Sequence, residues 1–212
     1  FTGKLCVKYF QSLDTTVTWA IAGRNLTKLE KVTEDNKTKV EILIADSDDE
    51  SALDHLTSRA RVILSTTGPF HRYGSKLVAS CIKNHAHYVD ITGENFWVKG
   101  LIEKHHAEAL AKGIRIIPSC GFDSIPSDLG TFFSAKAIGK PIKRIESFHS
   151  YKGGASGGTL ETMFSMGELD LGDDLTDPFL LNPNDSYSNE QKQLSSDRVG
   201  IAKKPEIKAW SG

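Results

Sequence analysis

Arg24 is the first residue of this chain whose type and position suggest chemistry. It closes a β-branched and apolar run at residues 17–25, Val-Thr-Trp-Ala-Ile-Ala-Gly-Arg-Asn, which breaks at Gly23 and leads on to Asn25. The run reads as a buried strand with a cation at its end. In a dinucleotide-binding βαβ unit the second strand ends roughly 20 residues past the glycine loop, where its first polar side chain meets the adenosine ribose. Gly3 stands at that distance upstream, after Phe1 and Thr2. An acidic residue at the strand end would bond the ribose hydroxyls of NAD. An Arg instead matches a 2′-phosphate with its charged fork, which favours NADP. The plainer alternative is a strand ending in a tight turn with a solvated Arg.

Two further strand ends carry polar groups. Residues 40–45 form a β-branched run that closes on Asp46 and Ser47. These could touch an adenine edge, or Asp46 could cap an acidic helix beginning near Ser47. Residues 61–67 end in Ser65, Thr66 and Thr67, followed by Gly68 and Pro69. Small hydroxyl residues and a glycine let a ribose or pyrophosphate approach the backbone, although a strand-loop-helix turn has the same composition. Phe1, Thr2 and Gly3 would present the N-terminus of a first helix to the pyrophosphate, where free N–H groups and the helix dipole favour an anion.

Other chemistries fit less well. Gly154-Ala155-Ser156-Gly157-Gly158 matches the nucleophile elbow of serine hydrolases, but its general base should follow in the chain, and the last histidine is His149. A flexible glycine loop beside a substrate crevice is the preferred reading. His85 with His87, and His105 with His106, lack metal-binding helical spacing and a convergent acid, so no metal site is expected. No Tyr has a Lys four residues later. Candidates for acid-base help are His71, Tyr73 and Asp123, each with a structural role as the simpler explanation, and no catalytic residue is assigned.

The elements that must position these groups alternate along the chain. Helix is expected at residues 3–13, a short helix at 26–32, and helices at 75–84 and 96–112; strands are expected at 17–25, 40–45, 61–67, 87–91 and 114–118. Five strands alternating with helices through short glycine-containing connections predict an α/β fold with a doubly wound parallel sheet. Ligands of such sheets lie at the carboxyl ends of the strands, where Arg24, Asp46, the 65–69 loop, Gly93 and Glu94 all fall. Pro126 suits the first turn of a helix. Beyond it the pattern changes to a longer strand at 143–151 and a helix near 159–169. The expected division is a dinucleotide-binding domain at 1–130 and a substrate-side α+β domain beginning at 131. Residues 170–204 read as long surface loops.

Composition narrows the class. The 212 residues carry a formal net charge of −1, with neither the basic excess of a nucleic-acid binder nor an acidic tail. No apolar run approaches the roughly 18 residues of a membrane span, and no signal-peptide pattern opens the chain. Cys6, Cys81 and Cys120 are odd in number and far apart, which argues against a disulfide framework and for an intracellular setting. Phe1-Thr2-Gly3-Lys4-Leu5 reads as the tail of a glycine loop entering a helix, and residues 207–212 run into another apolar stretch, so a fragment of a longer chain is expected.

Five stretches together resemble the saccharopine dehydrogenase-like oxidoreductases, whose relatives include the mycobacterial trans-acting enoyl reductases. They are Phe1-Thr2-Gly3-Lys4-Leu5, Ala20-Ile21-Ala22-Gly23-Arg24-Asn25, Ser65-Thr66-Thr67-Gly68-Pro69-Phe70, His87-Tyr88-Val89-Asp90-Ile91-Thr92-Gly93-Glu94, and Cys120-Gly121-Phe122-Asp123-Ser124-Ile125-Pro126-Ser127-Asp128. The resemblance implies a Rossmann domain whose loop ends Gly-x-x-Gly-Phe-Thr-Gly, so that Phe1, Thr2 and Gly3 are its last residues, with the first strand upstream. It implies an NADP-preferring (or NAD-using) oxidoreductase acting on a small-molecule or lipid-like substrate. By the same resemblance the protein is expected at a lipid droplet, a mitochondrion or the cytoplasmic face of a membrane. Membrane or lipid-droplet association would come through other parts of the protein, and homo-oligomers are compatible with it. True saccharopine reductases usually carry Pro-Tyr where this chain has Pro69-Phe70, and a phenyl ring transfers no proton, so saccharopine formation is not expected. The alternative class is a non-catalytic nucleotide-binding or lipid-associated scaffold; hydrolysis through Ser156 ranks below both.

Overall fold

The computed structural model describes residues 1–14, 16–142, 145–147, 154, 156–172, 177, 179–183, 186–195, 202–204 and 209–211. Helix and strand alternate from the start: α1 (Thr2–Ser12), β1 (Ala20–Gly23), α2 (Leu26–Asp35), β2 (Glu41–Ile44), α3 (Glu50–Ser58), β3 (Val62–Ser65), α4 (Phe70–Tyr73), α5 (Ser75–Lys83), β4 (His87–Asp90), α6 (Asn95–Ala111), β5 (Ile116–Ile117) and α7 (Ile125–Ile138). All pairings among these strands are parallel. β1 pairs with β2, so that Gly23 lies beside Ile44, and β4 lies between β3 and β5, with Ser65 beside Asp90. The two groups are separate sheets, and the registers align the carboxyl ends within each, so that polar strand-end residues gather at the same end of each sheet.

Local chemistry starts and stops the helices. The Asn25 side chain accepts the Lys28 N–H at 2.9 Å and starts α2; Asp49 does the same for α3 from Ala52 at 3.0 Å. Each satisfies an N–H that has no acceptor within its helix. Pro126 occupies the first turn of α7, and Gly139 ends that helix in the left-handed conformation at φ 60°.

Two apolar clusters hold the elements. Val7 of α1, Ile21 of β1 and Val32 of α2 form the smaller, with Trp19, Val40 and Ile42 packed against it. The larger gathers Ile63, Phe70, Val78, Ile82, Tyr88, Trp97 and Val98 from β3 through α6. A buried polar strip joins α3 to α5. Thr57, fully buried, shares a 2.8 Å hydrogen bond with the Ser80 hydroxyl and accepts from Asn84 Nδ2 at 2.9 Å, while the Ser80 hydroxyl donates to Asp54 at 2.7 Å.

Several expected boundaries move. The run at 17–25 yields a strand only over Ala20–Gly23, because those four residues alone find partners on β2. Likewise the 114–118 strand contracts to Ile116–Ile117 beside β4. The acidic helix starts at Glu50, not near Ser47, and its cap is Asp49, not Asp46. The expected strand at 143–151 lies mostly outside the described residues. After it come α8 (Gly157–Gly167) and α9 (Asn189–Ser195), then an antiparallel pair of β6 (Ala202–Lys204) and β7 (Ala209–Ser211), so 170–204 is not all loop.

Candidate functional site

The carboxyl edge is assembled from three places in the sequence. α1 begins directly after Phe1 with no side-chain cap, which leaves its first N–H groups available. Its Gly3 lies so close to the loop after β3 that a Cβ there would sit 3.1 Å from Thr66 Oγ1. A glycine is therefore suited to the contact, and backbone and hydroxyl stand together without an intervening side chain. At the end of β1, Arg24 is exposed and forms no ion pair with any described residue. The neighbouring Asn25 is engaged by its cap.

The remaining expected site residues are differently placed. Asp46 Oδ1 accepts the Asp48 N–H at 3.1 Å, a local turn bond; Ser47 is half-buried. Ser65 is buried, and its hydroxyl accepts the Thr67 N–H at 3.4 Å. Thr66 and Gly68 are half-buried, Thr67 is exposed, and Pro69 is buried behind a cis Gly68–Pro69 peptide bond. Ser65 thus shapes the loop from below while Thr66, Thr67 and Gly68 form its accessible part.

Behind that loop the structure joins two residues that the sequence named separately, Glu94 at the carboxyl edge and His71 as an acid-base candidate. Glu94, fully buried, accepts the backbone N–H groups of Phe70 at 2.8 Å and His71 at 2.7 Å, and its Oε2 lies 2.6 Å from His71 Nδ1. α4 has no cap of its own, so a carboxylate 24 residues beyond its first residue performs that task. The His71 ring rests against Phe96, with 5.6 Å between ring centres.

Beneath it lies a second buried carboxylate. Asp90 Oδ2 accepts the Tyr88 hydroxyl at 2.9 Å, and Oδ1 accepts the Thr92 and Ser119 N–H groups, each at 3.0 Å. Burial pushes the Asp90 carboxyl above the usual range, against the pull of these hydrogen bonds. Burial and the Asp90 charge together push the Tyr88 phenol well up. Both therefore shape the loops above them. Of the acid-base candidates, His71 belongs to the Glu94 node, Tyr73 is half-buried in α4, and Asp123 is exposed, with Oδ2 3.8 Å from where a Cβ on Gly93 would stand.

Ser156 is a helix cap. Its hydroxyl accepts the Thr159 N–H at 3.2 Å and lies 3.0 Å from Thr159 Oγ1 at the start of α8; Ala155 and His149 lie outside the described residues. Among the described residues there is no group of three or more metal-ligating side chains, and no helix is long and apolar enough to cross a membrane.

Parallel strands alternating with helices, a glycine contact at a helix N-terminus, and an arginine at a strand end with no ion pair among the described residues are features of the dinucleotide-binding class. Residues 2–117 match the model of the saccharopine dehydrogenase NADP binding domain, and the chain belongs to that family. It is 34% identical over 197 residues to a putative trans-acting enoyl reductase of Mycobacterium tuberculosis, covering 87% of this chain and 47% of that protein. It is 32% identical over 177 residues to a lipid droplet localized protein of Caenorhabditis elegans, covering 77% and 42%. The chain thus spans less than half the length of each. Apo saccharopine dehydrogenase (L-Glu forming) from Saccharomyces cerevisiae shares the fold at a TM-score of 0.54 and 17% identity, over 64% of this chain and 28% of that one. The residues present fit an NADP group: an α1 N-terminus without a side-chain cap for phosphate, the Gly3–Thr66 cradle, and an Arg24 guanidinium with no ion pair among the described residues.

Proposed function

We propose that this chain is the cofactor-holding part of an NADP-dependent oxidoreductase in which Arg24 reads the 2′-phosphate. The α1 N-terminus with Gly3 and Thr66 receives the pyrophosphate, and the 65–69 loop borders the ribose and nicotinamide. The cofactor supplies a hydride when bound; the chain holds and orients it. Substrate sits between this part and a second domain that begins near residue 131. The name of the mycobacterial relative supports an enoyl-type substrate, and that of the worm relative a lipid-droplet setting.

The observation that carries this reading is the exposed Arg24 at the end of β1, which forms no ion pair with any described residue, beside the close approach of Gly3 of α1 to Thr66. Titration of the full chain with NADPH and NADH, beside Arg24→Ala, tests it. Without the charged hydrogen bond from the guanidinium to the 2′-phosphate, NADPH binds about tenfold more weakly, or weaker still. NADH, lacking that phosphate, changes little. Equal weakening of both would remove Arg24 from its role, and no binding of either by folded protein would leave the lipid-associated scaffold as the better account.

A further inference from the structure

We infer that His71 is the proton-transfer residue of this site and that Glu94 is its positioning residue; the inference rests on the NADP reading above and deepens it. The two ring nitrogens of His71 have unlike surroundings. Nδ1 is 2.6 Å from the buried Glu94 carboxylate, which as an acceptor calls for a proton on Nδ1. Nε2 has no partner among the described residues and is not sealed from solvent, while the side chain as a whole is only 12% exposed. Nε2 therefore keeps contact with solvent from a nearly closed position. A base oriented through its other nitrogen by a buried acid is the arrangement that general acid-base catalysis requires.

The position of His71 points the same way. It is the second residue of α4, which follows directly from the loop at the carboxyl end of β3. Glu94 is held by the Phe70 and His71 N–H groups as well as by the ring, so the imidazole cannot swing away without losing its bond to a fixed carboxylate. Phe96 closes the apolar side of the ring. The charged groups around it are Glu94 and, on its own helix, Arg72, which is paired with Glu168 just after α8 at 2.9 Å. Transfer of a hydride to an unsaturated substrate leaves an electron pair on the partner atom of the double bond. His71, as imidazolium, gives its Nε2 proton to that pair, ends neutral with the Nδ1 proton retained, and recovers the other proton from water.

The test reads protons rather than turnover. The nicotinamide ring is cationic when oxidised and neutral when reduced, so an imidazole beside it binds protons less readily in the oxidised complex. Calorimetric titration of the full chain with NADP+ and with NADPH, near neutral pH and in two buffers of different ionisation heat, counts the protons exchanged. The 2′-phosphate and the Arg24 contact are common to both forms and cancel in the difference. A difference between the two cofactor forms is expected in the native protein and none in His71→Gln. Nitrogen NMR of the histidine rings should show the Nδ1-protonated tautomer at His71. A difference that is absent in the native protein or survives in His71→Gln overturns the inference with the NADP reading intact, and an Nε2-protonated neutral ring overturns the part played by Glu94. Absence of binding by either dinucleotide overturns the reading and the inference together.

Discussion

Replacing Glu94 by Ala removes three acceptor interactions at once, at 2.8, 2.7 and 2.6 Å, from a fully buried position. Two of the donors are the backbone N–H groups that open α4. They have no helical acceptor, and Pro69 ahead of them offers no side-chain cap. A hydrogen bond to a charged group contributes about 1.5–3 kcal/mol, and a buried donor without a partner costs about 1–3 kcal/mol. Water entering the space left by the side chain offsets part of the sum, so stability should fall by about 3–5 kcal/mol, the range for breaking a buried charged pair. Urea unfolding followed by tryptophan fluorescence measures it as a lower midpoint with an unchanged slope. His71→Ala should cost about 1–2 kcal/mol, because Glu94 keeps both backbone donors. Should Glu94→Ala cost no more than His71→Ala, the carboxylate would not be holding the α4 backbone, and the role given to this node would be wrong.

Gly74 and Asp90 offer independent checks. An Ala at 74 would bring its Cβ to 2.5 Å from Trp97 Cζ2 and 2.8 Å from the Phe70 carbonyl, so Gly74→Ala should destabilise by about 1–3 kcal/mol in the same unfolding assay, and a neutral result would mean that α4, α5 and α6 pack less tightly than described. Asp90 has its folded-state acidity weakened by burial, so its favourable contribution is complete below the unfolded carboxylate range and disappears as pH rises through the raised folded value. Asp90→Asn removes that pH-dependent decline, and its stability relative to the native protein should therefore rise between pH 4 and neutrality; a constant or falling difference across that window contradicts a carboxyl raised by burial.

What could be read from the residues was the existence of elements more than their limits. β-branched runs near residues 20, 42, 63, 88 and 116 marked all five parallel strands, because each must be apolar to be covered. Their lengths depended on partners: Val17 and Trp19 are as suited to a strand as Ala20, yet β2 offers only four residues to pair with. The start of α3 was ambiguous for a different reason. Asp46, Ser47, Asp48 and Asp49 are all competent caps. The turn out of β2 directs Asp46 toward the Asp48 N–H and leaves Asp49 to cap the helix.

Sequence by itself determined the alternation of strand and helix, the glycine and the arginine at their strand-loop spacing, and hence the family. Those features are local, and short-range sterics and side-chain chemistry impose them. Tertiary structure alone decided that Glu94 serves α4 and His71 from across the sheet edge, that Asp90 sits beneath them with Tyr88 and Ser119, and that Gly3 meets Thr66. A carboxylate looks the same in a sequence whether it is solvated or enclosed. Its partners are chosen by which strands lie side by side, and burial then makes every unmatched donor costly enough to fix them.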